Sequence, residues 1–369
     1  MRIGIILTGD YSWAGGVYYS LNIIKLLHSL SLSKKIKIVV IVNSDTPADL
    51  IKEIPTQNTE LSYLDKKNFF YKVYHKLKGD RFIADINRLN LDILYPLISY
   101  DPSHAKLNCK PMYWLYDFQH KFLPELFSSE EIKQRDLVFE NIASHGKDIV
   151  FSSHNSKSHF EKFFPNSKAN KYVYNFVSLI ENHNKEITIS AAIPKTYFIV
   201  CNQFWPHKNH LTVLKALNHL LQQNKHVHIV FTGKYNDERS KTYVDSLKNY
   251  IKENQLENNI TLTGFISREE QVELIKKAWA VIQPSFFEGW STVVEDAKAL
   301  GKFMILSDIG VNREQVKEYV KFFKPEDYLQ LAKHIQELYL KELLPGTANY
   351  NENIKTAKDD LVKLFKISE

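Results

Sequence analysis

The sequence predicts an α/β protein built as two doubly wound, Rossmann-like domains facing a central cleft. Three observations carry that prediction. Short apolar runs of strand length recur along the 369 residues, each closed by polar, Gly or Pro residues and followed by a helix-period pattern. The succession breaks at a polar, non-periodic stretch, SLIENHNKEITISAAI, and restarts at Tyr197 with the same architecture. The length also exceeds what one hydrophobic core usually serves. The expected boundaries are a first domain over 1–178, a second over 179–345, and a C-terminal helix over 346–369 packing back on the first.

In the first half, Ile3–Leu7 reads as a buried parallel strand, then a polar loop, a Gly15-Gly16 turn, and a helix from Val17 to Ser29 with Leu21, Ile24 and Leu27 on its apolar face. Ile36–Val42 and Leu91–Leu94 are further strands, the latter stopping before Tyr95-Pro96. Residues 55–90 are charged and aromatic without clear period and read as a helical insertion. Met112–Tyr116 is a strand that ends in Asp117-Phe118-Gln119-His120, polar groups placed where open α/β sheets bind ligands. A polar helix over Ser129–Ser144, strands at Asp148–Ser152 and Lys171–Asn175, and a helix begun at Ser153 complete the half.

In the second half, Tyr197–Cys201 is a strand, NQFWPHKNH a loop, and Leu211–Leu221 a helix. Strands follow at His228–Phe231, Ile260–Leu262, Ala280–Ile282 and Phe303–Leu306, with helices at Ser267–Lys277, Glu326–Leu340 and Asn351–Phe365. Pro284 and Ser285 end the strand before them, and a helix starts at Ser291-Thr292, residue types that cap, and stops at Gly301.

Composition excludes several classes. With 44% hydrophobic and 24% charged residues the chain is globular. Cys109 and Cys201 alone give no disulfide framework and no metal cluster, and they suit a reducing compartment. No apolar run has signal-peptide or membrane-span length. The net charge of +6 sits mostly in residues 1–180, with 23 Lys/Arg against 18 Asp/Glu. That balance suits peripheral contact with an anionic membrane or an acidic acceptor, and is too dispersed for nucleic acid. The expected location is cytoplasmic, including the inner face of the cell membrane.

The chemistry concentrates in QPSFFEGWSTVVEDAKALG, residues 283–301. Glu288 and Gly289 lie in a strand-to-helix turn, and Asp296 lies eight residues beyond Glu288, two helical turns on. Backbone N–H groups at Ser291 and Thr292 would attract phosphates while the carboxylates accept from hydroxyls. Lys208, in the loop after the strand Tyr197–Cys201, would put a cation on a diphosphate. Gly264, Phe265 and Ile266 would receive a base. Solvated acids and a loop lysine are the ordinary reading of each piece alone. The spacing at Gly15-Gly16 is not GxGxxG, which argues against a nicotinamide oxidoreductase.

Taken together these residues resemble the retaining GT-B glycosyltransferases of glycosyltransferase family 4. PSFFEGWSTVVEDAKALGK resembles that family's pair of acids eight apart, and WLYDFQHKFLPELFS resembles a segment of its polysaccharide and lipopolysaccharide enzymes. The resemblance implies a GT-B fold and transfer of a sugar from a nucleotide-sugar donor to a glycan or lipid-linked acceptor. It implies that Glu288 contacts the donor sugar, Asp296 the ribose, and Lys208 with the Ser291 and Thr292 backbone the diphosphate. Gly16 would close the site, Asp117 and His120 would sit at the reacting centre, and neither a metal nor another cofactor is required. Three positions depart from the pattern. Gln203 stands where an Arg is usual, which turns attention to Arg313, His207 and His210 as substitute donors. Tyr116-Asp117 replaces a His-Asp pair, and Asp296 replaces Glu. Alternatives of other classes are a GT-B nucleotide-sugar epimerase, active on the donor alone, and a non-catalytic sugar-nucleotide-binding protein. The donor nucleotide and sugar, the acceptor and linkage, and the oligomeric state are not written in the sequence.

Overall fold

The computed structural model describes residues 1–7, 13–64, 81–180, 193–235, 241–339 and 350–368. The interdomain linker expected over 178–193, much of the insertion expected over 55–90, and Pro345-Gly346 therefore lie wholly or largely outside the described residues. The chain forms two compact units: Met1–Phe118 with Phe127–Leu179 and Asn351–Glu369, and Gln119–Leu126 with Ile180–Tyr350. The division differs from the expected boundaries at Gln119–Leu126, which groups with the second unit.

The first unit holds, among the described residues, seven parallel strands: β1 Arg2–Ile6, β2 Lys37–Asn43, β3 Thr59–Leu64, β4 Ile93–Leu97, β5 Lys110–Leu115, β6 Asp148–Phe151 and β7 Asn170–Val173. Their spatial order is β3-β2-β1-β4-β5-β6-β7. The order reverses between β1 and β4, the switch point at which such sheets open a crevice beyond their carboxyl ends. β3 corrects the expectation of a helical insertion for its part of residues 55–90, whereas Arg81–Arg88 is helical as expected. β3 is an edge strand with no fully buried residue, so TELSYL lacks the apolar run that marks its neighbours. β4 runs through Pro96 rather than stopping before it, and its register to β5 shifts between Leu94 and Leu97. Such an irregularity admits a residue with no N–H to donate.

The second unit repeats the topology with β8 Phe198–Cys201, β9 Ile229–Thr232, β10 Ile260–Gly264, β11 Val281–Gln283, β12 Met304–Ser307 and β13 Val320–Phe323, in the order β10-β9-β8-β11-β12-β13. Its strands feed two cores, because successive side chains point to opposite faces. Phe198 and Val200 join Leu214, Leu217, Leu331 and Ile335 on one face. Ile199 and Cys201 join Leu274, Ile275, Val294 and Ala297 on the other. The helix Lys241–Glu253 and the strand β13 were not anticipated. No helix among the described residues is long and apolar enough to cross a membrane.

Candidate active site

In the second unit the order reverses between β8 and β11. The residue following β8 and the last residue of β11 are both amides. Asn202 Nδ2 donates to Gln283 Oε1 at 3.0 Å, and Gln283 Nε2 donates to Asn202 Oδ1 at 3.1 Å. Both side chains are buried, so each amide needs the other to offset its desolvation. Gln283 Nε2 also reaches Glu288 Oε1 at 2.8 Å, and Lys208 Nζ meets the same oxygen at 2.7 Å. The two side chains are 16% and 9% exposed, so the pair is largely shielded from bulk water. Glu288 and Lys208, eighty residues apart in sequence, thus form one unit at the switch point.

Local structure explains how the loops reach this arrangement. Lys208 ends a 3₁₀ turn, Pro206–Lys208, and Asn209 follows in the left-handed region at φ 56°. From there Asn209 Nδ2 donates to the carbonyls of Pro284 and Pro325, at 3.0 and 2.7 Å. Phe286 N–H donates to the His207 carbonyl at 2.8 Å. The lysine loop and the glutamate loop are therefore stitched together by backbone groups on both sides of the ion pair. Gly233 has φ 130°, and a Cβ there would fall 2.1 Å from the Asn202 carbonyl oxygen, so only glycine lets β9 leave past Asn202. Its N–H donates to the Gly264 carbonyl at 2.9 Å. Gly264 is also left-handed, at φ 74°. After it Phe265 is 53% exposed, while Ile266 packs partly on the core. Phe287 stacks on Phe122 with ring centroids 5.4 Å apart, an apolar wall beside Glu288 contributed by the segment that groups with the second unit.

Several expected site residues are placed differently. Ser291 caps the helix Thr292–Ala299 as its sequence implies, its hydroxyl accepting from Val294 N–H, and Gly301 takes a left-handed φ of 61° just past the helix. Its own N–H is not open, however: Ser291 is buried and donates to Gln315 Oε1 at 3.2 Å. Thr292 and Gly289 remain half-buried at the turn. Asp296 is fully buried, and both its oxygens accept from the Arg268 guanidinium in a bidentate pair. A carboxylate expected to meet a ribose is thus committed to an arginine from the first turn of the helix Arg268–Lys277. Sequence spacing put Asp296 on the right helix but gave no sign of its partner.

The substitute cations expected near Gln203 are engaged elsewhere. Arg313 forms a surface pair with Asp308, at 2.7 and 2.9 Å, and its guanidinium lies 3.9 Å from the Phe322 ring centroid. His210 is buried and stacks on Phe204 at 4.3 Å, and burial pushes its pKa down to about 3, so it is neutral. His207 is buried and is used through its carbonyl. Gln203 is half-buried, with its carbonyl accepting from Trp205 N–H.

In the first unit, Gly15 and Gly16 form no turn; they lie in the first turn of the helix Ala14–Ser31. A Cβ on Gly16 would meet the Trp13 indole at 2.7 Å. Trp13 in turn stacks on Trp114 at 5.5 Å, and Trp114 stacks on Tyr19 at 3.9 Å. The glycine makes room for an aromatic ladder. Asp117 follows β5, 3.9 Å from Arg135, and burial pushes the neighbouring Tyr116 hydroxyl up to about 12. His120 is buried and belongs to the segment grouped with the second unit. Among the described residues no three His, Cys, Asp or Glu side chains gather as a metal-ligand group. The parts played by Asn202, Gln283, Gly233, Arg268 and Gln315 are not expected from the sequence. A polar residue directly after a buried parallel strand, as at Cys201-Asn202 and Ile282-Gln283, was the available signal for two of them.

Residues 184–358 match the family described as Glycosyl transferases group 1. Among curated proteins, the chain is 27% identical over 166 residues to the O-antigen chain mannosyltransferase RfbU of Salmonella typhimurium, covering 44% of this chain and 45% of that one. It is 27% identical over 174 residues to a GDP-Man:Man(3)GlcNAc(2)-PP-Dol alpha-1,2-mannosyltransferase of Dictyostelium discoideum, covering 45% and 33%. The matched region therefore spans less than half the length of these curated relatives. Similar solved structures include Anabaena HepE in complex with UDP and glucose, at 15% identity, TM-score 0.63, and coverage of 100% of this chain and 95% of that one. Sucrose-phosphate synthase from Thermosynechococcus elongatus gives 14% identity, TM-score 0.65, and coverage of 99% and 95%. At such identities the likeness establishes the fold, which is that of the GT-B glycosyltransferases.

Proposed function

We propose that this chain is a metal-independent, retaining glycosyltransferase that moves a hexosyl group from a nucleotide-sugar to a glycan or lipid-linked acceptor in cell-surface polysaccharide biosynthesis. The observation that carries the reading is the Lys208–Glu288 pair, set by Gln283 and Asn202 at the switch point of β8 and β11. It lies inside the segment that matches the glycosyltransferase family, and the two curated relatives that the chain resembles over less than half its length are mannosyltransferases.

Glycosyl transfer needs a stabilised leaving group more than a strong nucleophile. As the bond to the diphosphate breaks, negative charge grows on the phosphate oxygens and an oxocarbenium-like sugar forms. A preorganised ammonium in a shielded site stabilises that growing charge without reorganising. Lys208 supplies it, and the N-terminus of the helix Thr292–Ala299 adds its dipole and the Thr292 N–H. Glu288, aimed by Gln283, accepts from the sugar hydroxyls, while the acceptor attacks from the face the diphosphate leaves. Gly264, Phe265 and Ile266 receive the base. Asp117, His120 and Gly16 are assigned to the acceptor side. The protein acts at the cytoplasmic face of the membrane, its basic first half beside anionic lipid.

The test is release of nucleoside diphosphate from a panel of nucleotide-sugars, with and without a polysaccharide or lipid-linked acceptor, in the presence of EDTA. The reading predicts acceptor-dependent release that EDTA leaves intact, and a product whose anomeric NMR coupling matches the donor. Isomerised sugar-nucleotide formed without acceptor would instead assign an epimerase.

A further inference from the structure

Beside the Lys208–Glu288 pair lies a second buried polar cluster that the reaction as described does not use. Gln315 is buried at the end of the helix Gly310–Gln315. Its Oε1 accepts from Ser291 N–H at 3.2 Å, and its Nε2 donates to the Ser291 carbonyl at 2.8 Å. The same Nε2 faces Glu295 Oε1 at 2.9 Å. Glu295 is fully buried, and the structure gives it two further donors: Lys298 Nζ on Oε1 at 2.8 Å and the Tyr350 hydroxyl on Oε2 at 2.7 Å. The Lys298 ammonium also lies over the Trp290 and Tyr350 rings, 6.0 and 5.9 Å from their centroids.

A fully buried carboxylate is costly unless it is paired and hydrogen-bonded, and this one is satisfied on both oxygens. What it fixes is the orientation of Gln315. An amide side chain can present oxygen or nitrogen to either neighbour; with a carboxylate on one side, nitrogen must face Glu295 and oxygen is left for Ser291 N–H. The amide then grips both backbone groups of a single residue, three positions after Glu288 in the turn that carries it.

We propose that Gln315 is a positioning residue for the donor site, held in one orientation by Glu295. It locks Ser291 inward, so that Thr292 N–H rather than Ser291 N–H faces the diphosphate, and it fixes the turn from which Glu288 projects. The proposal rests on the donor-site reading above and adds to it the residues that shape the phosphate turn.

A merely structural role is separated from a positioning one by replacing the polar pair with apolar residues. Because the change also takes a partner from Lys298, the Tyr350 hydroxyl and Ser291 N–H, circular dichroism is the control for the fold. Glu295→Leu/Gln315→Leu should keep the wild-type circular dichroism and bind its nucleoside diphosphate about tenfold more weakly by calorimetry. Glu295→Gln, whose amide can donate as well as accept, no longer dictates the Gln315 orientation and should bind more weakly than wild type but less weakly than the double variant. If the double variant does not fold, Gln315→Ala is measured in its place against the same expectation. Unchanged or tighter binding overturns the proposal, the latter by showing that the clamp competes with phosphate. Amide hydrogen exchange at Ser291 reports the clamp independently of nucleotide binding. Wild type that binds no nucleoside diphosphate overturns the donor-site reading, and with it this assignment. A Ser291 amide that exchanges equally fast in wild type and variant overturns the clamp alone.

Discussion

Removing the Arg268 guanidinium should be among the most damaging single changes to the second unit. Asp296 is fully buried and gives both oxygens to Arg268, whose side chain is 17% exposed. Arg268→Ala takes both of these charge-assisted hydrogen bonds from a carboxylate buried in the helix Thr292–Ala299. Breaking a buried pair from one side costs about 3–5 kcal/mol. For a unit of this size each kcal/mol moves the midpoint by about 2–4 °C, which predicts a fall of roughly 6–20 °C. The assay is thermal unfolding with urea denaturation alongside, since an unchanged slope in urea shows that stability and not the unfolded state has changed. Arg268→Met/Asp296→Leu should recover most of the loss, because neither charge is then left alone. A single variant within about 0.5 kcal/mol of wild type, the range of ordinary surface changes, would refute the burial argument.

Gly233→Ala combines a φ of 130° with a Cβ 2.1 Å from the Asn202 carbonyl oxygen. The backbone conformation alone costs about 1–3 kcal/mol, so urea denaturation should show at least that loss. Because Asn202 aims Gln283 and through it Glu288, nucleotide-sugar binding should weaken as well. His210 supplies a pH prediction. Burial holds its folded pKa near 3, below the ordinary 6.5, so between those values the unfolded chain binds more protons than the folded one. Stability should therefore fall as pH drops from 6.5 toward 3, and His210→Leu should flatten that slope by up to about one proton. An unaltered slope in urea titrations at pH 6.5, 5.5 and 4.5 would contradict the assignment.

Much of the fold could be read from the chain because parallel strands buried on both faces leave uninterrupted apolar runs, as in IKIVVIV and YFIVC. β3 escaped because an edge strand alternates exposure and needs no such run. The site was legible where backbone chemistry writes itself into sequence: Ser291 as a cap, Gly301 past a helix end, Glu288 in the turn after an apolar strand. It was not legible where the deciding fact is a contact across the fold. Nothing near Asp296 announces Arg268, which is 28 residues away, and nothing near Ser291 announces Gln315, 24 residues away. Gly16 illustrates a third case. Its glycine was expected to serve a turn and instead serves the Trp13 ring, a steric reason that periodicity does not record.

In the proposed mechanism β8 and β11 build a nucleotide-sugar site around Lys208 and Glu288. Calorimetry of wild type, Lys208→Ala and Glu288→Gln with a nucleoside diphosphate and its matching nucleotide-sugar tests it most directly. Lys208→Ala should abolish binding of both ligands, whereas Glu288→Gln should bind the nucleoside diphosphate as wild type does and lose affinity only for the sugar-bearing ligand. Wild-type affinity for both ligands in Lys208→Ala would contradict it and move the site away from this pair.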